Sequence, residues 1–155
     1  MGIYTVLNPP AASGPELIEI GDDFQQHMLL VWNYISSHPR IRNNPGVMFE
    51  LSNEPVDINC LQGENDYERS TVYKEGRDYW QPVVDKIRSH CDNIIYIPGF
   101  LWQTYFSGFA DYPIKGGNIG YAVHSYPRPD LREHWEKQVF PIAYMAPIMI
   151  TETEW

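Results

Sequence analysis

Short runs of apolar and β-branched residues, separated by polar or helical segments, constrain the fold of this chain most. The five runs are residues 3–7, 46–51, 93–98, 119–124 and 147–151. Strands joined by helical crossovers pair in parallel, with right-handed connections. The almost continuous apolar run of residues 94–97 is typical of a parallel strand that is covered on both faces. The sequence therefore predicts an α/β fold with about five parallel strands and crossover helices.

The first helical pattern lies between the first two apolar runs. Asp22 is a suitable N-cap with Gln25 three residues on, as in a capping box, and the helix is predicted to end before Pro39. Its predicted apolar face consists of Phe24, Met28, Val31 and Ile35.

A second helix is predicted over residues 69–90, with an apolar face of Trp80, Val83, Val84 and Ile87. Gly76 and Pro82 lie inside it, and Pro82 is expected either to kink the helix or to mark its start. A third helix is predicted over residues 130–139. The other connections are predicted to be loops over residues 11–21 and 57–66, and an aromatic loop or short helix over residues 99–117.

Composition excludes several classes of protein. The 155 residues include 11 Lys and Arg against 20 Asp and Glu, a net charge of −9, which argues against a nucleic-acid partner. Aromatic residues make up 14% of the chain, too many for a disordered protein. No apolar run approaches the roughly 20 residues of a membrane span, and the N-terminus lacks a signal-peptide pattern. The length predicts a single domain over residues 1–155.

Cysteine and histidine spacing predicts no metal site. Cys60 and Cys91 match no zinc motif and are too few for a disulfide scaffold, so they either pair or remain independent thiols. The four histidines outside the strands share no ligand spacing either; they are His27, His38, His90 and His134.

A parallel sheet with helical crossovers can stay open or close into a barrel. An open sheet that binds nucleotides needs a glycine-rich loop directly after a strand. The only glycine pair, Gly116-Gly117, instead precedes a strand. A nucleotide-binding open sheet is therefore disfavoured. In either closure, functional side chains gather where the strands end, and polar residues follow the second, fourth and fifth runs.

Two of these strand ends carry carboxylates. Glu54 follows the second apolar run and Glu152 follows the fifth, about three strand–helix units later. Two facing carboxylates can divide the roles of general acid and nucleophile in the hydrolysis of a glycosidic bond. Glu154 is a rival to Glu152 for the second role, whereas Glu50, inside its strand, is expected in a buried polar network.

Three strand segments resemble family 5 of the glycoside hydrolases, the (β/α)₈ group that contains cellulases and mannanases. Residues 44–55, ending in Asn53-Glu54-Pro55, resemble the fourth barrel strand of that family. Residues 121–126 resemble the sixth strand, and residues 147–152 resemble the seventh. The resemblance implies a partial TIM barrel that spans strands three to seven. The first, second and eighth strands have no counterpart, and Asn8 stands where the third strand commonly delivers a histidine.

The resemblance also implies roles for the site residues. Glu54 would be the acid/base and Glu152 the nucleophile of a retaining hydrolase that acts on β-1,4-type bonds in a polysaccharide. Tyr126 would orient the nucleophile. The substrate-binding residues implied in this way are Asn53, Trp102, His124 and Tyr126.

The resemblance implies no cofactor, and it implies secretion of the parent enzyme. A sheet of five strands would leave two open edges, which predict association between copies of the chain. Two alternatives stay open on the sequence alone. One is a non-catalytic carbohydrate-binding protein, and the other is an incomplete barrel without activity.

Overall fold

The computed structural model describes residues 2–9, 17–18, 20–55, 57–58 and 70–154. Cys60 lies outside the described residues. So do residues 11–16 and 19 of the loop predicted over residues 11–21, and most of the loop predicted over residues 57–66. Residue 69, where the sequence predicts the start of the second helix, lies outside them as well.

The five predicted strands form one parallel sheet. In the described parts of the chain, the strands are β1 (Thr5–Leu7), β2 (Leu17–Ile18), β3 (Val47–Glu50), β4 (Asp57–Ile58), β5 (Ile95–Pro98), β6 (Ile119–Ser125) and β7 (Ile148–Thr153). The main sheet has the order β1-β3-β5-β6-β7, and every pairing in it is parallel. The α/β class and the five parallel strands of a partial barrel are therefore confirmed.

The short strands β2 and β4 correct two loop predictions. They pair with each other in parallel, away from the main sheet, within segments that the sequence predicts to be loops over residues 11–21 and 57–66. Each strand is two residues long. So short a segment carries no alternation that a sequence pattern could reveal.

The helices lie between the strands of the main sheet. Within the described residues they are α1 (Asp23–Ser37), α2 (Ser70–Arg88), α3 (Phe100–Gln103), α4 (Leu131–Gln138) and α5 (Phe140–Ala143), with a 3₁₀ turn at Ser107–Ala110. The short segment α3 is a turn rather than a regular helix, because Leu101 and Trp102 have non-helical backbone angles. Helices α1, α2 and α4 agree with the helices predicted before β3, β5 and β7, whereas the short helix α5 has no counterpart in the prediction. The aromatic segment before β6 contains only α3 and the 3₁₀ turn, as predicted for a loop or short helix.

The first turn of α1 forms the predicted cap, but the helix buries a different face. Oδ1 of Asp22 accepts a hydrogen bond of 2.6 Å from the backbone N–H of Gln25. The buried residues of α1 are Gln25, Met28, Trp32 and Ser36, whereas Phe24, Val31 and Ile35 are only half-buried. The predicted face is shifted because an apolar pattern omits polar residues that bury by hydrogen bonding. Here Gln25 donates to the carbonyl of Tyr79, and Ser36 donates to that of Trp32.

Helix α2 continues through Pro82, which therefore does not mark the start of the helix. The four residues of its predicted apolar face, Trp80, Val83, Val84 and Ile87, are all buried, which confirms that face. Packing explains the glycine at position 76, because a Cβ there would collide with the ring of Phe100. The two residues that interrupt the helical pattern therefore do not end the helix.

The hydrophobic core lies between the main sheet and the helices. The ring of Phe49 on β3 lies 5.0 Å from that of Trp32 on α1, and Tyr121 on β6 is buried against the aromatic segment that follows β5. Side chains alternate along a strand, so Glu50 and His124 point to the opposite face of the sheet. The polar site is built on that face, at the carboxyl ends of the strands.

Within the described residues, β1 and β7 each pair along one edge only. None of the helices in this part of the chain is long and apolar enough to cross a bilayer.

Candidate active site

Glu54 lies just beyond the end of β3, in a backbone conformation that side chains disfavour. Its φ is +46°, in the left-handed region. The backbone N–H of Glu54 donates a hydrogen bond of 2.6 Å to Oε1 of Gln103, which follows β5. The carboxylate of Glu54 is partly exposed, and it turns toward β6.

His124 lies at the centre of the site. It sits near the end of β6 and is 2% exposed. Its Nδ1 lies 3.0 Å from Oε1 of Glu54 and 3.6 Å from Oε2 of Glu152, and its Nε2 lies 3.5 Å from Oε1 of Glu50. Carboxylates therefore face both ring nitrogens, an arrangement that favours the imidazolium.

Opposing effects act on the charge of this ring. Burial lowers the pKa of His124, but the contacts with Glu50 and Glu54 and the charge of Glu152 together raise the pKa above its ordinary value of 6.5. A cation at this point partly neutralises the three carboxylates and lets them lie close together.

A β-bulge on β7 brings Glu152 to His124. Val123 pairs with Ile150, but the next residue of β6, His124, pairs with Glu152, so Thr151 is an extra residue in β7. In a regular strand, neighbouring side chains point to opposite faces. The bulge instead lets both Thr151 and Glu152 contact the site.

Glu54 and Glu152 lie close together because both face Nδ1 of His124. A carboxylate oxygen of each residue and a ring nitrogen of His124 all lie within 4.8 Å of one another. Glu154, the rival from the sequence, is exposed, and β7 ends before it. The structure thus places Glu152 rather than Glu154 next to Glu54.

Oxygen and nitrogen ligands at this spacing could hold a metal ion. The same nitrogen of His124 already faces both carboxylates, however, and can neutralise their charge without an ion. The absence of a metal therefore stays a prediction.

A buried polar network lies beneath Glu54 and Glu152, as expected for Glu50. The carboxylate of Glu50 is buried, and its Oε1 accepts hydrogen bonds from Nε2 of Gln103 at 2.8 Å and from the hydroxyl of Thr151 at 3.2 Å. Gln103 also donates to the carbonyl of Ala122 at 3.3 Å. The network links β3, β6, β7 and the turn after β5.

Of the other predicted site residues, Tyr126 contacts Glu152, Asn53 directly precedes Glu54, and Trp102 directly precedes Gln103. The hydroxyl of Tyr126 donates a hydrogen bond to Oε1 of Glu152. Oδ1 of Asn53 accepts a bond of 3.4 Å from the side chain of Asn8, so Asn8 reaches the site although it is not a histidine. Trp102 is 49% exposed and directly precedes Gln103 in sequence. Its exposed ring is free to receive a planar or apolar partner.

Sequence reasoning missed Gln103 and Thr151. Gln103 is a polar residue within an aromatic segment at a strand end, and this composition was the only signal for it. The sequence predicts Thr151 only as the last residue of an apolar strand. Its role depends on the bulge, which arises from pairing with β6 and has no signature in the residues themselves.

Comparison with known proteins identifies the family of this chain and several of its relatives. A family model described as "Cellulase (glycosyl hydrolase family 5)" matches residues 2–150. An endoglucanase of Bacillus sp. (strain KSM-635) is 30% identical over 95 residues, which cover 61% of this chain and 10% of that protein.

Solved structures show the same fold. Beta-glucanase SdGluc5_26A from Saccharophagus degradans superposes with a TM-score of 0.76 and 23% identity in its native form, over 99% of this chain and 48% of that one. Its complex with cellotetraose gives a TM-score of 0.70 at 23% identity, with the same coverage of both chains. The catalytic domain of Thermobifida fusca endoglucanase Cel5A gives a TM-score of 0.71 at 17% identity, over 97% of this chain and 45% of that one.

The chain thus spans about half the length of these solved barrels. The family model covers nearly all of its residues, and the strands that it shares with these barrels carry Glu54 and Glu152 at their carboxyl ends. On the match to the family model, this chain belongs to glycosyl hydrolase family 5.

Proposed function

We propose that this chain carries the catalytic dyad of a retaining glycoside hydrolase that cleaves β-1,4-type bonds in a glucan, in the manner of an endoglucanase. The main support for this function is that carboxylate oxygens of Glu54 and Glu152 lie within 4.8 Å of each other. Retaining enzymes hold their two carboxyl groups about 5–5.5 Å apart, whereas inverting enzymes need about 6.5–9.5 Å to admit a water.

In the first step, Glu152 is the nucleophile and Glu54 is the acid. An oxygen of Glu152 forms a bond to the anomeric carbon while the bond from that carbon to the glycosidic oxygen breaks. The electron pair of the broken bond stays on the leaving oxygen, which takes the proton of Glu54. The products are a glycosyl-enzyme, a shortened sugar chain and the carboxylate of Glu54.

In the second step, Glu54 acts as a base. It removes a proton from a water molecule, whose oxygen attacks the anomeric carbon, and the bond to Glu152 breaks. Each step inverts the anomeric centre once, so the overall reaction retains its configuration. Both carboxyl groups return to their starting protonation states.

His124 and Tyr126 support this exchange of roles. Nδ1 of His124 lies 3.0 Å from Glu54 and 3.6 Å from Glu152, so one cation faces whichever carboxylate is ionised. Tyr126 donates a hydrogen bond to Glu152 and fixes its side chain toward the sugar. We assign substrate contacts to Asn53, through a hydrogen bond to a hydroxyl group, and to the exposed ring of Trp102, through stacking on a sugar face.

A glucan is the proposed substrate class because the similar proteins are an endoglucanase and beta-glucanases, one of them in complex with cellotetraose.

We propose an extracellular site of action, since a polymer of this kind cannot enter a cell. We also propose that residues 1–155 form one incomplete (β/α) barrel domain, with strands three to seven of the family barrel. Copies of the chain would associate through the edges at β1 and β7, near which Tyr4 and Ile150 are exposed. Sedimentation velocity at several protein concentrations tests the association; a single monomeric species at all of them would contradict it.

Release of reducing ends from carboxymethyl-cellulose tests the activity, with mannan as the competing substrate. We expect turnover of the glucan by the wild-type chain, and none by Glu54→Gln or Glu152→Gln. Glu136→Gln, a change of an exposed glutamate on α4, is the matched control and should retain activity. Retention is checked by following the anomeric proton of the first product by NMR. Binding of cellotetraose without turnover would favour the carbohydrate-binding protein, and neither binding nor turnover would favour the inactive barrel.

A further inference from the structure

Gln103 is a buried polar residue in an unusual stretch of backbone. Its side chain is fully buried, although the neighbouring Trp102 is 49% exposed. Leu101, Trp102 and Gln103 have φ values of +42°, +56° and +57°, three consecutive left-handed residues without a glycine. Side chains normally occupy this region singly. Such a run persists only where its surroundings hold it, and it is found at functional sites.

The partners of Gln103 fix the orientation of its amide. Its Oε1 faces the backbone N–H of Glu54, which can only donate. Its Nε2 faces a carboxylate oxygen of Glu50 and the carbonyl of Ala122, which accept. Exchanging the nitrogen and oxygen of the amide would break all three contacts. Gln103 is therefore a bridge of defined direction from the buried carboxylate of Glu50 to the main chain of Glu54.

We infer that Gln103 is a positioning residue for the acid/base carboxyl. By holding the N–H of Glu54, it keeps that residue at a φ of +46° and directs the side chain toward His124, 3.0 Å away. The buried Glu50 anchors the bridge from below, and the left-handed turn delivers Gln103 to it while leaving Trp102 at the surface. This inference rests on the proposed role of Glu54 and adds a residue that acts through it.

The chain offers a matched control for Gln103. Oε1 of Gln81 accepts a bond of 2.8 Å from the backbone N–H of Lys115. Its Nε2 donates to Asp85 and to the carbonyl of Lys115, at 2.8 Å and 2.9 Å. Gln81 thus makes the same kinds of contact as Gln103, but it is only half-buried on α2 and none of its contacts is with Glu50 or Glu54. Gln103→Met and Gln81→Met each remove an amide and keep nearly the same volume.

Two substrates separate a positioning role from a general structural one. The leaving group of 2,4-dinitrophenyl β-cellobioside departs without a proton, whereas that of phenyl β-cellobioside needs general acid catalysis. We expect Gln103→Met to lower kcat/KM by about 30-fold or more on the phenyl substrate and by less than about 3-fold on the dinitrophenyl substrate. Gln81→Met should leave both values unchanged. Equal losses of Gln103→Met on the two substrates, or no loss, would overturn the inference.

A second readout does not require turnover. The carboxylates of Glu50, Glu54 and Glu152 face His124. Titration of the His124 ring protons by NMR should show a lower pKa in Gln103→Met, because Glu54 leaves its place while the other two carboxylates remain. An unchanged pKa of His124 would contradict the inference. If the wild-type chain hydrolyses neither substrate, the proposed activity fails and this titration alone decides the positioning role.

A third measurement covers the case in which Gln103→Met does not fold. The amide proton of Glu54 is then followed by hydrogen exchange in the wild-type chain, with the amide of Lys115 as the reference. Exchange at least about tenfold slower than in an unstructured peptide supports the bridge to Gln103. Exchange at the rate of an unstructured peptide would overturn it.

Discussion

Nδ1 of His124 lies 3.0 Å from Oε1 of Glu54, although the imidazole is almost fully buried and the carboxylate is partly exposed. The ring therefore connects the carboxylate of Glu54, the proposed acid/base, to buried side chains of the sheet. Glu50, on the far side of the ring, is buried as well. In the proposed mechanism a charged imidazole at this point serves both folding and catalysis, because it neutralises carboxylates that would otherwise repel each other.

The first prediction concerns stability and pH. The folded-state pKa of His124 is raised above 6.5, so protonated His124 stabilises the fold below that pH, and the contribution is lost as pH rises through the folded pKa. We compare the free energy of unfolding of the wild type and His124→Asn in urea between about pH 5 and pH 9. The stability advantage of the wild type should shrink toward alkaline pH. An advantage that stays constant or grows with pH would contradict the prediction.

The second prediction concerns the orientation of Glu152. Tyr126→Phe removes the hydrogen bond to its carboxylate while keeping the ring. Bonds to charged groups contribute about 1.5–3 kcal/mol, so we expect kcat/KM on a soluble glucan to fall by about 10-fold or more. Tyr144→Phe is the control, because Tyr144 is 89% exposed. Similar kinetics for Tyr126→Phe and the wild type would show that Glu152 holds its position without this hydroxyl.

The third prediction concerns substrate binding by Trp102. An exposed indole next to the site can stack on a sugar ring, so Trp102→Ala should weaken binding of cellotetraose by about 5-fold or more. Calorimetry on the Glu54→Gln background measures binding without turnover. Tyr34→Ala, which removes an exposed aromatic side chain from α1, should leave the affinity unchanged. Equal affinities for Trp102→Ala and its parent would place the sugar elsewhere.

The sequence was sufficient to predict which strand ends bring their polar side chains together in the candidate site. Glu54, His124 and Glu152 each follow or end an apolar run, and the carboxyl ends of parallel strands meet at one edge of the sheet. That rule brings residues together without any knowledge of packing. The five strands of the main sheet and the longer helices between them could be predicted for a separate reason, because their apolar residues recur with the period of a strand or a helix.

Features that depend on tertiary pairing could not be predicted in this way. The bulge at Thr151 comes from the register between β6 and β7, and a shift of one residue leaves the same apolar run in the sequence. The left-handed turn at residues 101–103 contains no glycine that would indicate it in the sequence. The buried face of α1 includes Gln25 and Ser36, whose partners are main-chain carbonyls that only the fold brings near.

The last prediction concerns the opposite end of the sheet, where Asn93 precedes β5. Its side chain is 5% exposed, and Oδ1 accepts a bond of 2.7 Å from the backbone N–H of Asn43. Nδ2 donates at 2.8–3.2 Å to the carbonyl oxygens of Ile41, Asn44 and Val47. This amide therefore ties the end of the segment after α1 to the start of β3.

Asn93→Asp replaces the donating nitrogen with an oxygen that faces three carbonyl oxygens. We expect a loss of at least about 2 kcal/mol in the free energy of unfolding at neutral pH. Because these carbonyls disfavour the carboxylate, the folded-state pKa of the new Asp should be raised, so the loss should diminish as pH falls and the group becomes a donor again. Asp92→Asn, an exposed change one residue away, should alter stability by less than about 0.5 kcal/mol. Urea unfolding at about pH 4 and pH 7 measures both variants, and a loss in Asn93→Asp that is the same at both values would mean that charge is not its cause.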